Sequence, residues 1–302
     1  MPDQPHAPTR SSIGPDRRDL LLGLGAATAL AAAPRVLAAP AASWPLWQVE
    51  HGGSIVHLTG ETPPRATDWH DARIESVLRG AAILWTETNR VQRGDVQALV
   101  AQYGMAADKP LDAWLTPEDR ARVAKAAAIC RVPPDSIAPL RPWLAGASLQ
   151  QSYYAAAGQS AKSGDAVLAE QAKAAGIAVS SEFAAQDDVF AWFGAMSPAQ
   201  DVQFLRYALD EILAGPATAR IYDDWAAGRF DRAAAVMERM SRTSPELFAK
   251  IAIGRNRGWL PRFAALCGVG ENGLVVTGLY HLVGPSNLIA QLRGGGFGVR
   301  RF

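Results

Sequence analysis

Asn272-Gly273-Leu274-Val275-Val276-Thr277-Gly278-Leu279-Tyr280-His281-Leu282-Val283-Gly284-Pro285 is the stretch on which the reading of the whole chain turns. Leu274, Val275 and Val276 make a short apolar run, rich in β-branched residues, that suits a buried strand. Gly278 ends it, because glycine turns the backbone where a Cβ would clash. Three residues later His281 leaves the strand end, a short, stiff support on which an imidazole can act as ligand or base. Gly284-Pro285-Ser286-Asn287 predicts a turn and residues 288–292 a helix. A lone histidine in such a place caps or packs as readily as it reacts.

An echo near the other end gives it weight. Ser54-Ile55-Val56-His57-Leu58-Thr59-Gly60-Glu61-Thr62-Pro63 aligns so that Thr59-Gly60 falls on Thr277-Gly278. Both are apolar strands ending in Thr-Gly, with the site position three residues beyond the glycine. There the first copy has Pro63 and the second His281.

Around these two units the chain alternates strands and helices. Residues 44–50 and 54–59 predict a hairpin turning at His51-Gly52-Gly53. Residues 71–78 have helical spacing, and residues 81–86 predict a strand that delivers Glu87 at its end. Thr116-Pro117-Glu118-Asp119 is a helix start, with Thr at the N-cap, Pro at N1 and acids in the first turn. Further helices are expected over 166–175, 198–213, 230–240 and 247–266, the last carrying Arg255, Asn256 and Trp259. One strand, 177–180, interrupts them and leaves Glu182 just past its end. This is an α/β pattern: a mixed β-sheet core with strand-end Gly-x-x-His motifs and a large helical insertion or cap, about residues 90–255.

The chain has 302 residues, 49% of them hydrophobic, ample for a sizeable core. The first 41 residues hold four Arg and three Asp. Taking these from 30 basic and 29 acidic residues leaves 26 of each, so residues 42–302 are neutral. A neutral chain is not expected to bind nucleic acid. Cys130 and Cys267 lack metal-ligand spacing and are expected as buried free thiols, with one disulfide as the alternative.

Residues 1–41 resemble a Tat-type signal peptide. Arg17-Arg18 precede a weakly hydrophobic run, residues 20–33, which is short of the ~20 apolar residues a membrane-spanning helix needs. Small residues follow, with cleavage expected after Ala38 or Ala41. This predicts a periplasmic protein without a stable membrane anchor after processing, and one domain over residues 42–302.

The order of motifs resembles the TraB/GumN family, related to the TIKI proteases. Leu46-Trp47-Gln48-Val49, Glu87-Thr88-Asn89, Arg141-Pro142-Trp143, Gly164-Asp165, Ser181-Glu182-Phe183, Trp225-Ala226-Ala227-Gly228 and Arg255-Asn256 follow the family's steps in sequence. Gly278-Leu279-Tyr280-His281 is its closing Gly-x-x-His, while Gly60-Glu61-Thr62-Pro63 is the degenerate first copy. The resemblance implies a metal-dependent hydrolytic site acting on peptides, or a protein that sequesters them.

With Pro63 unable to coordinate, Glu61 replaces the first histidine better than His57, whose side chain points along the strand. Glu61, Glu87, Glu182 and His281 then form an oxygen-rich candidate metal set, for Mn²⁺, Co²⁺ or Zn²⁺. Glu87, Arg255, Asn256 and His281 are the candidate catalytic residues, and Trp85 and Tyr280 the candidate substrate contacts. Gly60 and Gly278 are the motif glycines. Two functions stay open: a peptidase-like, metal-dependent hydrolase with an altered site, and a non-catalytic protein that binds a peptide or small molecule.

Overall fold

In the computed structural model, which describes residues 44–88, 94–106, 108–159, 161–268 and 272–302, the two echoing segments are neighbours in one sheet. Its strands are β1 (Leu46–His51), β2 (Ser54–Glu61), β3 (Ile83–Thr88), β4 (Ala178–Phe183), β5 (Gly273–Gly278) and β6 (Gly298–Arg301), in the order β4-β3-β5-β2-β1-β6. β2, β5, β3 and β4 run parallel, and β1 is antiparallel to both β2 and β6. The fold is therefore mixed α/β, as the alternating pattern predicts. Central β5 has neighbours on both edges, and Leu274, Val275 and Val276 are all buried. Each such side chain contributes roughly 1.5–3 kcal/mol of burial free energy.

The β1–β2 hairpin turns through Gly52-Gly53 alone, with φ of 61° and 85°. Two successive left-handed residues are what a two-residue hairpin turn demands, and glycine supplies them without a Cβ penalty. His51 lies in β1 and pairs with Ser54. Although Thr59-Gly60 matches Thr277-Gly278 in sequence, Gly60 sits beside Thr277 and Glu61 beside Gly278, one residue out of step.

The parallel arrangement puts the carboxyl ends of β2, β3, β4 and β5 on one edge, where open α/β sheets build their sites. Helices Ala72–Arg79 and Gly164–Ala174 pack on β3, β4 and β5, while helix Arg255–Gly268 packs on β1 and β2. A second core joins helices Pro117–Cys130, Pro142–Ala156 and Pro198–Ala214 through Val123, Ala126, Leu149, Leu205 and Leu209. The Thr116 start is a full capping box with Asp119. Arg141 clasps fully buried Asp201 at 2.6 and 2.9 Å and donates to the Gly194 carbonyl, tying two helix starts together. Cys130 and Cys267 are buried and free.

Two further expectations change. β3 and β4 each run past the predicted ends, because Thr88 pairs with Phe183; Glu87 and Glu182 thus lie within strands rather than beyond them. The predicted helix 247–266 is broken: Pro245–Phe248 leads into a π-helical turn, Ala249–Gly254, before helix Arg255–Gly268 begins. Strand β6 and helix Gln186–Gly194 are not among the expected elements. The export segment and Asn89 lie outside the described residues. Among the described residues no helix is long and apolar enough to cross a membrane.

Candidate functional site

Between the pairs Thr86–Ser181 and Thr88–Phe183, the parallel register of β3 and β4 makes Glu87 and Glu182 direct neighbours. Like charges side by side across a ladder are destabilising unless a cation intervenes. Arg255, the first residue after the π-helical turn, supplies it. Its Nη2 lies 2.7 Å from Glu87 Oε2, and its Nε is 3.0 Å from Glu182 Oε2. Phe183, Trp192 and Trp259 surround the guanidinium, with ring centroids 5.0–5.7 Å from Cζ. A planar, weakly hydrated guanidinium suits such an aromatic frame.

Glu87 is held from a second side. Its Oε1 accepts the backbone N–H of Gly278 at 2.5 Å, and a Cβ on Gly278 would lie 3.4 Å from the same oxygen. That motif glycine therefore serves Glu87 directly. Burial pushes the Glu87 carboxyl upward, but Arg255, the His281 ring and the Gly278 N–H hold its pKa down at about 2. Burial would discharge Arg255, yet the carboxylates of Glu87 and Glu182 keep it charged, above its ordinary value.

His281 sits in the short 3₁₀ turn Leu279–Leu282 that follows β5. Its Nδ1 is 2.7 Å from Asn256 Oδ1. The Asn256 amide donates to the carbonyls of His281 and Ser286, so its oxygen faces the ring and Nδ1 carries the proton. The Nε2 lone pair then points at Arg255 Nη1, 3.3 Å away, with Glu87 Oε1 at 3.7 Å. The ring lies 4.6 Å from that of Trp259. Burial and Arg255 push the His281 pKa down and Glu87 pushes it up, leaving it at about 4. At neutral pH the imidazole is uncharged, so its approach to Glu87 is not an ion pair.

Glu87, Glu182, Arg255, Asn256 and His281 thus meet in one cluster. Glu61 is placed otherwise: its Oε2 accepts the backbone N–H of Asp165, in the first turn of helix Gly164–Ala174. Gly60 is a packing residue. A Cβ there would come within 2.4 Å of Trp225, and its carbonyl accepts both Trp44 Nε1 at 2.6 Å and Trp225 Nε1 at 3.0 Å. His57 packs edge-on against Phe302, 5.4 Å between rings, far along β2 from the strand end.

Neither expected substrate contact lies at the cluster's edge. Trp85 is 4% exposed and lies behind Trp259, ring centroids 5.5 Å apart, so it supports the cluster from the core rather than facing a ligand. Tyr280 alternates away from His281 toward Tyr207, ring centroids 6.4 Å apart, and lines a cavity that none of the cluster residues lines. Half-buried Phe183 and Trp192 are the aromatics at the cluster's own edge, with Lys250 Nζ 4.7 Å from the Trp192 ring. Trp259 was legible as the partner of Arg255, four residues along the same helix face. Trp192 arrives from a distant helix and leaves no such signal.

As arranged here, the donor set is turned toward Arg255 rather than toward a metal site. The two carboxylates and the imidazole converge on the Arg255 guanidinium, which already supplies the positive charge and their hydrogen bonds. Pro63 has no donor, and Glu61 is engaged at another helix start. Among the described residues no group of three His, Cys, Asp or Glu side chains is arranged to hold a metal.

The fold and the cluster together define a class: an α/β protein whose parallel strands present paired carboxylates, an arginine and a histidine at their carboxyl edge. The profile of the TraB/PrgY/gumN family matches residues 45–301, and the chain belongs to that family. Neither the curated proteins nor the solved structures compared with it gave a match.

Proposed function

We propose that this protein is an exported, ligand-binding member of its family, which holds a peptide-like or small molecule at the carboxylate–guanidinium–imidazole cluster without metal-dependent turnover. The observation that carries this reading is the position of Arg255, which bridges Glu87 and Glu182 and faces His281 Nε2 where a cation would otherwise be needed. One guanidinium against two carboxylates leaves the cluster one surplus negative charge. A ligand amino or guanidino group is the complement, with Phe183 and Trp192 offering apolar contact beside it. Export to the periplasm by the Tat route is part of the proposal, supported by Arg17-Arg18 and the short apolar run after them.

Calorimetric titration with Mn²⁺, Co²⁺ and Zn²⁺ tests it, alongside cleavage of a peptide library, in wild type, Pro63→His and His281→Ala. The expected result is capture of peptides with free amino groups and no metal-dependent cleavage by wild type. Tight metal binding with cleavage, both lost in His281→Ala, would overturn it.

A second reading rests on the His281 ring itself. Neutral, and fixed by Asn256 with its Nε2 lone pair directed into the cluster, it has the orientation of a general base. Peptide cleavage by wild type that persists in chelator and disappears in His281→Ala would favour that reading over binding alone.

A further inference from the structure

A cavity of about 260 Å³ lies between helices Pro198–Ala214, Pro216–Ala226 and Asp231–Thr243, with Tyr280 also lining it. None of the five cluster residues lines it. Its most unusual lining group is Glu211, which is 8% exposed. Every side chain that hydrogen-bonds the Glu211 carboxylate is neutral: the hydroxyls of Tyr154 and Tyr222 donate to Oε1, and the Gln150 amide donates to Oε2. A buried carboxylate is ordinarily paired with a cation, and three neutral donors leave about one of its roughly four acceptor positions open.

The remaining walls fit an organic cation. Tyr207 and Tyr280 meet at 88°, giving two aromatic faces at a corner of the cavity, and negative ring faces attract ammonium groups. Ala214, Ala217 and Ala235 are small, and leave the space in which an alkyl chain would lie. Neither of the cavity's own cations is paired with Glu211, although the charge of Arg239 bears on the Tyr280 hydroxyl. Arg232 is paired with Asp224 at 2.6 Å, and Arg239 is exposed to solvent at the rim.

We infer that this cavity is a binding site for a small organic ammonium ion, its charged head against Glu211 and the Tyr207–Tyr280 corner and its alkyl part against the alanines. The inference is independent of what the strand-end cluster binds, since the two sites share no residue.

The test uses the full mature chain and n-butylammonium chloride, with n-butyrate and 1-butanol as the anionic and neutral counterparts, followed by calorimetry and by Tyr ring shifts in NMR. Butylammonium is expected to bind at least tenfold more tightly than either counterpart, and at least tenfold more weakly to Glu211→Gln. Ala235→Leu fills the cavity from an exposed helix position and leaves Glu211 and its partners intact. It is expected to abolish binding too, and it decides the matter should Glu211→Gln fail to fold. Equal or tighter binding of butyrate or butanol, or butylammonium binding unchanged in Ala235→Leu, would overturn the inference.

Discussion

Arg255 carries more of the cluster than any other residue. Removing its charge leaves Glu87 and Glu182 adjacent, each with a side chain only a fifth exposed, with no cation between them. Breaking such a pair by deleting one partner typically costs about 3–5 kcal/mol, because the surviving charge is stranded. Arg255→Gln is therefore expected to lose stability of that order in urea denaturation, and adding Glu182→Gln to recover part of it. An Arg255→Gln variant with an unchanged midpoint would show that the ion pairs contribute nothing. His281 and Glu87 also set a pH dependence. The His281 pKa is lowered in the fold, so the unfolded chain binds its proton first and stability falls as pH drops from about 6.5 toward 4. Glu87, lowered to about 2, adds a second loss between about 4.5 and 2. Thermal midpoints measured from pH 8 to 3 should show the first loss in wild type and a smaller one in His281→Gln.

Among the elements, β2 and β5 illustrate how similar sequences acquire different work. Both carry Thr-Gly at the same sheet edge, yet Gly278 hydrogen-bonds Glu87 whereas Gly60 admits the ring of Trp225. Gly60→Ala would drive a methyl into that fully buried ring and against the Leu279 backbone, 3.1 Å away. Overpacking of this kind costs about 1–3 kcal/mol. A loss in that range, read by guanidinium denaturation, is expected without change in ligand capture; a neutral substitution would mean that Trp225 moves aside freely. The π-helical turn Ala249–Gly254 belongs to the same scale. It interrupts the helix just before Arg255-Asn256, so that one residue reaches Nε2 of His281 and the next reaches Nδ1.

For the whole molecule, Ala42–Phe302 forms one compact unit, with the sheet and the helical cores built from contacts distant in sequence. The proposed export belongs to this scale. A twin-arginine signal is read as a pair, so replacing Arg17 and Arg18 together by lysine is expected to abolish periplasmic accumulation in fractionated cells. Undiminished accumulation would remove the Tat assignment. Loss of export with a folded cytoplasmic protein would support it.

The sequence by itself determined the α/β class, the family and the residues of the cluster, because local periodicity and motif order survive in one dimension. Val275 and Val276 announce a buried strand, Thr116-Pro117 a helix start, and Gly278-Leu279-Tyr280-His281 a strand-end histidine. Only the tertiary structure decided how those residues are used. The neighbouring of Glu87 and Glu182 depends on the register of two strands some ninety residues apart, which no local pattern encodes. The same is true of the Arg255 bridge between them, of Glu61's place at a helix start, and of the turn that sends Tyr280 into a cavity of its own. Each is a contact between segments joined by folding alone, and there the chemistry of a donor set is settled.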